Sequence, residues 1–190
     1  MIQFTDIKKI TERNLFFNKQ VDQSSIGELM KEVINFNDID QKMEELAVFN
    51  QSSYVRRPIN IYIDSYGGTV YQILGLIGII EQSKTPVHTY LTGCAMSCGF
   101  LLLISGHKRF AYKYSTGLYH QVSSGAYGKI QEIEERIEET QRLQLIIEKM
   151  TLDKTKISKS RLEKSRKEKE DWFIPSDDLV GYGIVDEIIK

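Results

Sequence analysis

Cysteine is nearly absent from this chain of 190 residues: Cys94 and Cys98 are the only two. Two thiols so close together cannot make a disulfide framework, and free thiols suit a reducing compartment. Histidine is scarce as well, with three in all. The surroundings of the two cysteines therefore lack the further ligands that a zinc site requires, and no metal is expected. An excess of either charge is also missing: 25 Lys and Arg stand against 26 Asp and Glu, a net charge of −1. That balance argues against nucleic acid or a membrane surface as partner. No apolar run reaches membrane-spanning length. No N-terminal stretch joins a charged start to an apolar core, so no signal peptide is expected and the chain is expected to be cytoplasmic. No internal repeat is visible.

What is present is an alternation of strand-like and helix-like patterns, which places the chain in the α/β class. Its length fits one domain over residues 1–190 with a sizeable core. Residues 14–17 read as a short strand. Ser25 with Glu28 makes a capping box, and Ile26, Leu29, Met30, Val33 and Ile34 follow with helical spacing. Residues 37–57 are polar and irregular, with a helical stretch expected over 41–49. Ile59, Ile61 and Ile63 alternate with polar neighbours as strand residues do. A helix is expected over 70–81, with Gly75 and Gly78 allowing close packing on the sheet. Strands are expected over 87–91, 109–112 and 117–120, and a short, wholly apolar, buried helix over 97–104.

A long helix follows, over the region 128–150. Ile130, Ile133, Ile137, Thr140, Gln144 and Ile147 recur at steps of three and four, while Glu134, Glu135, Glu138 and Glu139 face away. So narrow a stripe on so long a helix fits burial against another copy of the chain. Residues 154–170 read as a charge-rich, solvated helix pinned by Ile157 and Leu162.

The chemistry lies in two glycine-bearing segments, Asp64-Ser65-Tyr66-Gly67-Gly68 and Gly93-Cys94-Ala95-Met96-Ser97-Cys98-Gly99. Each follows a strand-like run and opens a helix-like one. A serine on such a turn has an exposed hydroxyl, and free backbone N–H groups point outward beside it. Those are a nucleophile and an oxyanion hole, two parts that acyl transfer needs. The hydroxyl also needs a base. His88 lies on the strand that leads into the serine turn, and His107 sits in a Gly-His-Lys-Arg stretch that reads as a solvated loop. His120 ends an apolar strand, where an imidazole is held rigidly. An acidic residue must orient the base; Glu168, Glu170 and Asp171 all lie downstream.

The ordered set Ser65-Tyr66-Gly67-Gly68, Met96-Ser97-Cys98-Gly99, His120-Gln121, Asp171 and Tyr182-Gly183-Ile184-Val185-Asp186 resembles the ClpP family of self-compartmentalised serine peptidases. The family's own wording is Ser-Pro-Gly-Gly, Ala-Ser-Met-Gly, His-Gln, an Asp, and Tyr-Gly-Leu-Val-Asp. The likeness runs from the region of Arg13 to the C-terminus. It implies a ClpP/crotonase-like α/β fold of repeated β-β-α units with a projecting handle helix. It implies Ser97 as nucleophile, His120 as base and Asp171 as the residue that orients it. It implies an oxyanion hole from the backbone N–H groups of Gly68 and Cys98. The edges at Gly67, Thr69 and Val70, and at Gln121 and Val122, would hold a peptide as an added strand. Implied too are heptameric rings stacked as a tetradecamer, unfolded polypeptides as substrates, an AAA+ unfoldase of the ClpX, ClpA or ClpC kind, and no cofactor.

Three departures from the family bear on function. Tyr66 stands in place of proline, and Glu170 in place of an arginine that bridges rings in many relatives. The N-terminal region is short and lacks an apolar axial loop. Other readings are a phage-encoded relative that processes capsid proteins, a non-catalytic ring subunit, and a crotonase-like acyl-CoA enzyme.

Overall fold

A computed structural model describes residues 12–189; the short N-terminal segment expected over 1–12 lies, but for Glu12, outside them. Strand β1 (Asn14–Phe17) pairs in parallel with β2 (Ile59–Ser65), and β2 with β3 (Val87–Met96). The other edge of β3 is shared. Its first half pairs with β4 (Lys108–Tyr112), and residues 94–96 pair with β5 (Thr116–Tyr119). Strand β6 (Trp172–Pro175) runs antiparallel to β5, and β7 (Glu187–Ile189) flanks β4. Parallel neighbours need crossovers. These are supplied by α1 (Gln23–Phe49), α2 (Val70–Gln82) and α3 (Cys98–Ile104). Helices α4 (Ile130–Lys154) and α5 (Lys159–Glu168) and the one-turn α6 (Ser176–Leu179) complete the α/β architecture.

Alternation decides which face of the sheet is covered. Ile59, Ile61 and Ile63 are fully buried, with Ile73, Leu76, Ile77 and Ile80 of α2 and Ile26 and Val33 of α1 in the same core. On the opposite face Phe16, Tyr62, Tyr90 and Phe110 fall opposite one another in the strand register. Their rings stack with centroids 5.1, 4.7 and 4.7 Å apart, each pair contributing about 0.5–1.5 kcal/mol. Helix α3 is buried at every residue from Cys98 to Ile104, as its composition requires. Ile157 and Leu162 are buried and pin the charged α5 segment.

The structure corrects several expectations. Residues 37–40 are not irregular, and the helical stretch expected over 41–49 is the end of α1, one helix of 27 residues. Its buried stripe of Ile26, Leu29, Val33 and Phe36 continues through Asp40, a polar residue where periodicity calls for an apolar one. The N-cap is Asp22, with Ser25 at the third helical position in a reciprocal capping box, and not Ser25 with Glu28. A Cβ on Gly78 would meet open space, and one on Gly75 would meet only the Met30 side chain at 3.8 Å. Close packing on the sheet therefore explains neither glycine. Strand β3 runs on to Met96, and β5 stops at Tyr119, one residue before His120. Ile130 and Ile137 of α4 are exposed in the single chain, whereas Leu143, Gln144 and Ile147 are buried. The first half of α4 thus projects. Among the described residues no helix is long and apolar enough to cross a membrane.

Candidate active site

Strand β2 ends in a turn that is clipped to the segment after β1. The Ser65 hydroxyl donates to the Lys19 carbonyl at 2.6 Å and accepts the Gly67 N–H at 3.2 Å. Val21 N–H donates to the Gly67 carbonyl, and Thr69 N–H donates back to the Val21 carbonyl. Gly67 and Gly68 have φ of 96° and 149°. A Cβ on Gly68 would lie 2.2 Å from the Val21 oxygen, and one on Gly67 would lie 2.8 Å from the Ser97 Cβ. Glycine is required at both because backbone meets backbone here.

Strand β3 delivers the serine beside this turn. Ser97 has φ 53° and ψ −120°, a conformation that non-glycine residues rarely adopt and that is costly to hold. Its N–H donates to the Leu118 carbonyl at 3.0 Å, which fixes the elbow against β5. Ser97 is the N-cap of α3, yet its side chain makes no capping bond. The hydroxyl is left for other work. Among the described residues the N–H groups of Gly68 and Cys98 donate to no protein acceptor. The Cys98 thiol donates to the Gly68 carbonyl at 3.1 Å and so joins the two turns.

His120 follows β5 and is half-buried. Ser97 and His120 line two adjoining cavities. The smaller also takes in Gly68, Val70, Cys98 and Val122; the larger, of about 540 Å³, opens past Tyr66, Gly67 and Ser123. Tyr119 pairs with Trp172 in the antiparallel register. That pairing ends one residue short of His120 on β5 and begins one residue after Asp171 on β6, so both residues leave the same end of the β5–β6 pair. Asp171 is exposed, and no hydrogen bond joins Ser97, His120 and Asp171 among the described residues. The other acidic candidates are engaged elsewhere. Glu170 takes two bonds from Arg161, at 2.8 and 3.0 Å, and these hold its carboxyl below the usual range. Glu168 faces Lys164 one helical turn away. The Arg161 guanidinium also lies 3.8 Å from the Trp172 ring centroid, which seats α5 against β6.

The remaining expected residues are placed less uniformly. Thr69 is exposed, and its N–H is already used by Val21. Val122 is half-buried with its N–H bonded to Gln144, and Gln121 is exposed. His107 accepts the Val87 N–H at its Nδ1, so its ring braces the edge of β3. His88 sits tilted against Phe110. Sequence reasoning missed Ser65, Val21 and Gln144 as supports. Ser65 stood in the glycine-turn motif without a role, and Gln144 left a signal as a carboxamide between Leu143 and Ile147 in an apolar stripe.

Burial pushes both thiols up to about 11, with the Asp64 carboxylate adding to the effect at Cys94. Neither is a nucleophile near neutral pH. At pH 8 iodoacetamide is expected to modify the folded chain roughly 100-fold more slowly than the unfolded chain, read by intact mass. Rapid alkylation of the folded form would contradict this.

The chain is similar to known proteins along nearly its whole length. Residues 3–190 match the family model described as Clp protease. The ATP-dependent Clp protease proteolytic subunit of Bacteroides thetaiotaomicron is 28% identical over 180 residues, covering 94% of this chain and 74% of that protein. The protein of that name from Bacteroides fragilis is 26% identical over 180 residues, with 94% and 79% covered. The ATP-dependent Clp protease proteolytic subunit 2 of Frankia casuarinae is 29% identical over 185 residues, with 96% and 78% covered.

Proposed function

Because the chain belongs to the Clp protease family and is by that membership a peptidase, we propose that it cleaves unfolded polypeptides with Ser97, His120 and Asp171 inside a chamber built from its own copies. The observation that carries this reading is Ser97 itself, a strained serine at a strand-to-helix junction beside two free N–H groups. Ser97 Oγ attacks the scissile carbonyl carbon while His120 takes its proton. The oxyanion accepts hydrogen bonds from Gly68 and Cys98, each such donor being worth on the order of 10²–10³ in rate. His120 then gives the proton to the departing amine, leaving an acyl-enzyme that water hydrolyses by the same steps. Asp171 orients the imidazole and stabilises its charged form. In the resting chain these three groups are not bonded to one another, as is common before substrate draws a site together.

The substrate lies as an extended strand between the Gly67–Val70 edge and the segment at Gln121 and Val122. The Thr69 and Val122 N–H groups are taken, so the remaining main-chain groups along these edges carry the pairing. Self-association is supported by the exposed first half of α4, where Ile130 is largely and Ile137 about half exposed in the single chain. Heptameric rings stacked in pairs, of single-domain subunits fed by an AAA+ unfoldase, complete the proposal. The relatives are named ATP-dependent, which supports the last part.

A fluorophosphonate probe, applied to the chain with its assembly state read by native mass spectrometry, tests this. One probe is expected on Ser97 of each assembled subunit. A full ring that takes up no probe would overturn the catalytic reading and favour a structural subunit.

A further inference from the structure

We propose that Gln144 of α4 is a positioning residue for His120, an inference that rests on the peptidase reading above. Gln144 is 5% exposed, and its neighbours on the same helix face, Leu143 and Ile147, are buried with it. Its Oε1 accepts the Val122 N–H at 2.8 Å. Its Nε2 donates to the Glu148 carboxylate at 2.9 Å and reaches the Tyr119 hydroxyl at 3.4 Å. Both atoms of the carboxamide are thus in use.

The two residues it holds, Tyr119 and Val122, bracket His120. Strand pairing ends at Tyr119, and residues 120–128 belong to no helix or strand. Among the described residues, the bond from Val122 N–H to Gln144 is the one hydrogen bond that ties this stretch to the body of the protein. An imidazole one residue past a strand end needs a second anchor if it is to stay aimed at Ser97. Gln144 supplies that anchor from a different element. Glu148, which receives the other end of the carboxamide, also faces Arg166 of α5 at 3.5 Å. Helix α5 leads directly to Asp171. One polar chain, Val122–Gln144–Glu148–Arg166, therefore links α4 to the segments that carry both His120 and Asp171. A purely apolar residue at 144 would fill the space but leave the Val122 amide without its acceptor.

The test compares Gln144→Met, which keeps the shape and removes the acceptor, with the exchanged pair Gln144→Glu plus Glu148→Gln, which keeps an acceptor oxygen at 144 and supplies a donor toward it from 148. Three quantities are measured: the rate of Ser97 acylation by a fluorophosphonate, kcat and KM on a peptide, and hydrogen exchange over residues 119–123. Gln144→Met is expected to lower acylation and kcat roughly 10- to 100-fold with KM changed less than about twofold, and to speed exchange at Val122. The exchanged pair is expected to return both rates to within about threefold of the parent. Parent-like acylation in Gln144→Met overturns the proposal. So does an exchanged pair that restores protection at Val122 yet stays as slow as Gln144→Met, because restored anchoring would then not restore the rate. If the parent chain itself is not acylated, the peptidase reading falls. The exchange measurement still decides the anchoring: unchanged protection at Val122 in Gln144→Met overturns it.

Discussion

Ser97→Ala is expected to lower peptide hydrolysis by about 10⁶-fold, the scale of loss when a serine hydrolase is stripped of its nucleophile. Folding and assembly are expected to survive. The Ser97 hydroxyl caps no helix, so its removal orphans no buried group. The backbone keeps its place through the Ser97 N–H bond to Leu118 and the Leu101 N–H bond to Ser97. Ser97→Gly extends the argument. Glycine holds φ 53° without the strain that serine bears there. This variant is expected to be as inactive as Ser97→Ala and to melt at a higher temperature. Peptide turnover and thermal melts of the two variants check both halves. Residual hydrolysis near the parent rate would remove Ser97 from the mechanism.

The second large effect concerns stability, far from the chemistry. Asp40 is fully buried on α1 and accepts two bonds from Arg13, one from the Tyr54 hydroxyl and one from the Thr85 hydroxyl. Burial by itself would raise its pKa. The bonds from Arg13, Tyr54 and Thr85 outweigh burial and hold the carboxyl below its ordinary value. Asp40→Asn removes the carboxylate from a buried Arg–Asp pair, and breaking such a pair costs about 3–5 kcal/mol. For a chain of this size that is a fall in Tm on the order of 10 °C. The sign of the pH dependence follows from the depressed pKa. The stabilisation is fully present above the unfolded carboxyl value, near 4, and is lost as pH falls through the lower folded value. Asp40→Asn is therefore expected to flatten the acid limb of the stability curve as well as lower its plateau. Denaturation midpoints from pH 7 down to pH 3 measure both. A variant as stable as the parent at pH 7 would show that the pair contributes nothing net.

Asp40 also shows why one part of the fold was misread. Periodicity identifies a helix by its apolar stripe, and Asn37, Asp38 and Asp40 interrupt that stripe in sequence. The helix runs on because Arg13, Tyr54 and Thr85, far along the chain, make an aspartate acceptable in the core. The capping box was displaced for a related reason. Asp22 and Ser25 satisfy each other's N–H groups, and a Ser-x-x-Glu pattern three residues later reads equally well from the letters alone. Gly75 and Gly78 were read as packing devices when nothing in the folded chain crowds them.

The site divides along the same line. The order of the glycine turns, the serine between a strand and an apolar helix, and the histidine after a third strand were all legible. Each depends on local pattern and residue type, which sequence records directly. The chain itself fixed the setting of Ser97, because β3, Ser97 and α3 are consecutive. Tertiary structure decided the rest. It drew Glu170 onto Arg161, paired Tyr119 with Trp172 in the β5–β6 register, and brought Gly67 against the Ser97 Cβ. It turned Gln144 from one more position in a helical stripe into the acceptor for Val122. Cross-strand register and buried hydrogen bonds join residues tens of positions apart. Which partner each group finds is set by how the sheet and helices close on one another, and no local periodicity carries that information.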